Sequence, residues 1–104
     1  MAQFDVFVNP IALARDAYPF VMVLQSEFAA TAAQQIVAPL VPKAAMPALA
    51  GRLTPVMTFE ALEYVLLVPA LTGIRMRDLT RRAGSLAAAR PAVLAAIDYL
   101  FFGL

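Results

Sequence analysis

Val93-Leu94-Ala95-Ala96-Ile97-Asp98-Tyr99-Leu100-Phe101-Phe102-Gly103-Leu104 closes the chain. Val93, Leu94, Ile97, Leu100 and Phe101 recur at the three- and four-residue spacing of a helix with one apolar face. Pro91 is compatible with that helix only in its first turn, where the missing amide is not needed. The helix is therefore expected to begin near Ala88 to Arg90 and to run over about 88–102. Gly103 supplies the residue without a Cβ that commonly follows a helix. A chain end is usually polar and frayed. One that finishes on two aromatics, a glycine and a leucine has to be packed into its own core, paired with a second copy, or presented to a partner. Leu94, Ile97 and Phe101 share a phase that assigns Phe101 to the core, and Phe102 is then expected to point outward.

Upstream of this helix the pattern is that of strands. Gln3 to Val8 alternates strictly, with Phe4, Val6 and Val8 opposite Gln3, Asp5 and Phe7, the two-residue period of a half-buried strand. Asn9-Pro10 ends it. Pro19 to Gln25 predicts a second, more fully buried strand. A third is read from Gln35 to Ala38, stopping at Pro39, with an exposed loop from Ser26 to Ala33 between the two. Three prolines in residues 39–50 favour an irregular connection or a single helical turn. Leu53 to Phe59 and Tyr64 to Leu71 read as strands around a solvated turn holding Glu60 and Glu63. Thr72-Gly73 marks another turn, and Ile74 to Leu79 alternates again, with Arg75 and Arg77 on its polar side. The expected architecture is mainly β with one C-terminal helix. It forms a single domain over 1–104, the β-rich part covering about 1–86.

The 62% hydrophobic content has an innocent cause, since 22 of the 104 residues are alanine. No apolar run approaches the roughly 18 residues of a spanning helix, and no secretory pattern is visible at the start. A cytoplasmic protein with no membrane association is expected. The net charge of +1 argues against nucleic-acid binding by bulk electrostatics. Charge is nevertheless clustered. Arg75, Arg77, Arg81 and Arg82 stand within eight residues and are opposed there by Asp78 alone, and single-sign clusters of this kind steer charged partners.

The chain has no cysteine and no histidine, so the commonest nucleophile, general base and transition-metal ligand are missing together. Four scattered glycines make no phosphate cradle. No catalytic residue, metal or cofactor is expected. Asp98 reads first as the polar side of an amphipathic helix.

Four stretches, taken in order, resemble the CcdB family of toxins from bacterial toxin–antitoxin modules. They are Gln3-Phe4 with Val6; Gln25-Ser26-Glu27 continuing through Thr31 to Ile36-Val37-Ala38-Pro39-Leu40; Leu53-Thr54-Pro55-Val56 with Tyr64 eight residues on; and Ala96 to Leu104. The resemblance implies an SH3-like antiparallel β-barrel with a C-terminal helix, assembled as a homodimer. It further implies a non-enzymatic toxin that binds the A subunit of DNA gyrase and traps the cleaved-DNA complex. A CcdA-like antitoxin would neutralise the toxin by folding onto it. Carried over by position, the gyrase-facing residues are Phe102, Gly103, Leu104 and Asp98, with Phe28 and Ala29 from the loop after Gln25-Ser26. Familiar members of the family carry tryptophan and asparagine where this chain has Phe102 and Asp98. The cluster Arg75, Arg77, Arg81 and Arg82 lies outside that set and is expected to receive acidic residues of the antitoxin. Two alternatives share the scaffold: an endoribonuclease toxin of the MazF/Kid type, and a non-toxic homologue that keeps antitoxin binding.

Overall fold

The computed structural model describes residues 1–27 and 33–103, with Leu49 by its backbone alone. Among these residues seven strands form one antiparallel sheet: β1 (Asp5–Val8), β2 (Phe20–Val23), β3 (Gln34–Pro42), β4 (Val56–Phe59), β5 (Leu62–Leu66), β6 (Thr72–Arg75) and β7 (Arg82–Ser85). The order is β4-β5-β3-β2-β1-β7, with β6 also on β3. The sheet curls into a half-barrel, and the helix α1 (Arg90–Phe102) closes the chain. Pro91 stands in its first turn, as its missing amide requires. Among the described residues no helix is long and apolar enough to cross a membrane.

Strands β1, β2 and most of β3 are covered on both faces. The main core joins Phe4, Val6, Met22, Leu40 and Leu66 to Val93 and Ala96 of α1. A smaller cluster on other strand positions joins Phe7, Val21, Val23, Val37 and Leu79, with Ile74 packed against it. Phe7, expected on the polar side of a half-buried strand, is thus buried in a second core. Asp5 beside it is also buried, because its carboxylate accepts from the Ala2 amide at 2.9 Å and pairs with Arg82 at 3.2 Å.

Strand β3 does not stop at Pro39. It pairs with β2 along one edge (Val37 to Leu40), and on the other with β6 (Gln34 to Val37) and β5 (Leu40 to Pro42). Pro39 falls in the gap between those two partners, where no donor is called for, and its carbonyl accepts the Leu67 amide at 2.9 Å. Two short 3-10 turns, Lys43–Ala45 and Pro47–Leu49, make the irregular connection that follows.

Other boundaries shift. Thr72-Gly73 opens β6 rather than making a turn, and Met76–Asp78 is a 3-10 turn rather than strand. The strand expected from Leu53 begins at Val56, and the one expected over Tyr64 to Leu71 runs from Leu62 to Leu66, giving way to a 3-10 turn at Val68–Ala70. Strand β7 carries no apolar alternation and went unpredicted. It pairs with β1, Asp5 opposite Ser85 and Val6 opposite Gly84.

The half-barrel is drawn together at its free edges by side chains. Phe59 of β4 packs on Gly84 of β7, where a Cβ would lie 2.8 Å from the ring. Phe20, Phe59 and Tyr64 meet edge to face, with centroids 5.3 to 6.3 Å apart.

The β4–β5 hairpin pairs Phe59 with Leu62, leaving a two-residue loop of Glu60 and Ala61, both at positive φ (51° and 66°). Loops of this kind favour Asn-Gly, and an L-residue there costs about 1–2 kcal/mol. Ala61→Gly should therefore raise stability by about 0.5–1 kcal/mol, since relief of that strain outweighs the extra unfolded-state entropy. Chemical denaturation of the two proteins would measure it, and a lower midpoint for the glycine variant would contradict the reading.

Candidate functional site

The exposed end of α1 is built by periodicity. Val93 and Ala96 face the main core, so Asp98 and Phe102, four residues apart, share the solvent side of the last turn. Phe102 is 72% exposed. Gly103 adopts the left-handed conformation (φ 71°) and donates its amide to the Tyr99 carbonyl at 3.0 Å, ending the helix. The last turn is held from the side by Arg52, whose guanidinium lies 3.9 Å from the centre of the Tyr99 ring. Such a contact contributes about 0.5–2 kcal/mol.

Phe101 departs from expectation. It is 61% exposed and borders an apolar groove of about 430 Å³ with Leu24, Ile36, Leu71 and Ile97. Gln25 and Ser26 line the same groove. The start of the loop that carries Phe28 and Ala29 thus lies beside the helix end. Phe28, Ala29 and Leu104 themselves fall outside the described residues. The structure therefore brings together Asp98, Phe102 and Gly103, and adds Phe101.

The arginine cluster divides. Arg75, at the end of β6, and Arg77, on the turn after it, both line a cleft of about 590 Å³ together with Arg81. Arg15 joins them from the loop between β1 and β2. Sequence reading missed Arg15, because residues 9–19 offered neither periodicity nor a motif. That loop is fixed by Asn9. Its side chain donates to the Tyr18 carbonyl at 2.8 Å and accepts from the Ile11 amide at 3.0 Å, while its own carbonyl accepts from Arg15 Nε at 2.7 Å. Asp78 is the one carboxylate among the described lining residues, and it is engaged by Arg75 at 3.2 Å. Arg82 is not in the cleft; it turns to the buried Asp5. Among the described residues no cluster of acidic side chains could hold a metal ion.

A curled antiparallel sheet followed by a C-terminal helix, with the helix terminus displayed to solvent, defines a small, mainly β half-barrel domain. A family model described as CcdB protein matches residues 3–103, and the chain belongs to the CcdB family. Membership makes it a toxin of the toxin–antitoxin type, with an antitoxin as partner. No curated protein matches the chain.

Proposed function

We propose that this protein poisons DNA gyrase without itself being an enzyme. As a homodimer it would bind the gyrase A subunit and hold the enzyme on cleaved DNA until a CcdA-like antitoxin removes it. The observation that carries this reading is the display of Phe102 on the solvent face of α1, in register with Asp98 and followed at once by the left-handed Gly103. Side chains this apolar and this exposed at the end of a short helix suit insertion between protein surfaces. The ring can stack on a cationic side chain of the target for about 0.5–2 kcal/mol, and Asp98 offers that cation a carboxylate one turn away.

The test is DNA cleavage by purified gyrase and ATP, comparing the intact protein with one lacking Phe102 to Leu104. Linear DNA should accumulate with the intact protein only. The shortened protein should keep its fold, since Phe102 and Gly103 are exposed and the helix hydrogen bonds before them remain. Absence of linear DNA with folded intact protein would sink the gyrase reading. An endoribonuclease on this scaffold would instead cut RNA through the arginine-lined cleft and be indifferent to the truncation.

A further inference from the structure

Burial falls away along α1. Val93 and Ala96 are fully buried, Ile97 and Leu100 only partly so, and Phe101 and Phe102 stand in solvent. A helix end packed this thinly frays. Here it is gripped from the flank. Gly51 and Thr54 exchange amide-to-carbonyl hydrogen bonds at 3.2 and 3.1 Å, closing a tight turn with Arg52 and Leu53 at its tip. The carbonyl of Pro55, the next residue, accepts the amide of the fully buried Leu66 at 3.0 Å, which roots the turn on strand β5. From that mount the Arg52 guanidinium reaches the Tyr99 ring, 3.9 Å from its centre. That is well inside the ~6 Å over which cation and ring attract.

We infer that Arg52 is a positioning residue for the displayed end of α1, holding Tyr99 so that Asp98 and Phe102 meet the target already ordered. Insofar as that target is gyrase, the inference rests on the gyrase reading. Tyr99 is the residue to hold, for two reasons. Its side chain stands three positions before Phe102, about 60° away around the helix, so the two are neighbours on the surface. Its carbonyl receives the Gly103 amide, the bond that ends the helix. A hold on Tyr99 therefore acts on the cap and on the direction of Phe102 together. The contact is poorly suited to stabilising the domain as a whole, because Arg52 is exposed and Tyr99 only half-buried. It is well suited to ordering a segment before binding, which removes part of the ordering cost that association otherwise carries. Guanidinium serves better here than ammonium, being planar and weakly hydrated, and so able to rest on a ring.

The variants are Arg52→Gln, Arg52→Lys, Tyr99→Phe and Tyr99→Leu. Lys43→Gln, whose charge is paired with Glu63, controls for net charge. Two quantities are read: hydrogen exchange of the Gly103 amide by NMR, and the toxin concentration giving half-maximal linear DNA with gyrase. Arg52→Gln and Tyr99→Leu should each speed Gly103 exchange about two- to fivefold and raise that concentration by a similar factor, the range for an exposed contact of this kind. In Arg52→Gln the Val93 and Ala96 amides and the melting temperature should not move. Arg52→Lys should fall between, while Tyr99→Phe and Lys43→Gln should match the parent. Arg52→Gln combined with Tyr99→Leu should do no more than either alone, since both remove one contact. Unchanged Gly103 exchange in Arg52→Gln, full potency in that variant, or additive losses in the double variant would each overturn the inference. A folded parent protein that yields no linear DNA would overturn the gyrase reading instead. Faster Gly103 exchange in Arg52→Gln would then still support the hold on the helix end.

Discussion

Gly84→Ala should lower the stability of the domain by about 1–3 kcal/mol, the usual cost of overpacking a filled core. A Cβ at this position would stand 2.8 Å from Phe59 Cε1 and 3.1 Å from Cζ. The ring cannot swing clear without cost, because Phe20 and Tyr64 hold it edge to face on two sides. Away from such a contact the expected sign is the opposite. Glycine to alanine at a compatible backbone position stabilises by about 0.4–1 kcal/mol through the unfolded chain. Gly84 is not in the left-handed region, so the direction of the change reports on the contact itself. A urea titration decides it. Shortening the ring in the same background, as Phe59→Leu with Gly84→Ala, should cost less than the two changes summed. If Gly84→Ala proves stabilising, Phe59 does not seal the two edges of the sheet in solution.

Phe102→Ala should separate function from folding. The side chain is 72% exposed, so its removal should move the melting temperature little, as surface changes within about 0.5 kcal/mol do. On the gyrase reading it is a central anchor, and truncating such a residue typically costs 2 kcal/mol or more, about thirtyfold in affinity. The toxin concentration giving half-maximal linear DNA should rise accordingly. Phe101→Ala makes the informative contrast. That ring is also largely exposed (61%) and borders the groove formed with Leu24, Ile36, Leu71 and Ile97, so its loss should likewise move stability little, and potency should fall less than in Phe102→Ala. Potency lost equally in both variants, with both melting early, would indicate that Phe102 acts by supporting the fold.

The helix and its end were legible in the sequence because three local signals agree there: apolar periodicity, Pro91 in the first turn and Gly103 after the last. Strands β1, β2, β4 and β5 were legible in position for a similar reason, their apolar residues being dense or alternating. What could not be read depended on neighbours. Strand β7 is Arg82-Ala83-Gly84-Ser85, four residues with no strand signature, made extended by pairing with β1 some eighty positions earlier. Pro39 reads as a terminator until the gap between β5 and β6 is known. Phe101 has the phase of a core residue, but phase says which way a side chain points and not how far the core reaches. Val93 and Ala96 are fully buried, whereas Phe101 further along the helix is 61% exposed. Of the candidate site, Asp98, Phe102 and Gly103 are joined by the family resemblance, and helical spacing then sets them on one end of α1. Arg15 was not legible, because it meets Arg75, Arg77 and Arg81 through the fold. Conversely, Arg82 looked like one more member of a run, and the buried Asp5 decides otherwise.

Strand β3, with β2 along one side and β5 and β6 sharing the other, has a bearing on how the domain exchanges its amide hydrogens with water. A strand at the rim can detach alone, and its amides are then labelled through small, frequent openings. β3 cannot, since freeing it dissolves three ladders at once. Its amides are released only when the whole domain opens, and Pro39 contributes none to count. The slowest-labelling part of the protein is accordingly a segment interrupted by a proline, and it reports global stability directly, while the helix terminus and the 9–19 loop label early and report only on themselves.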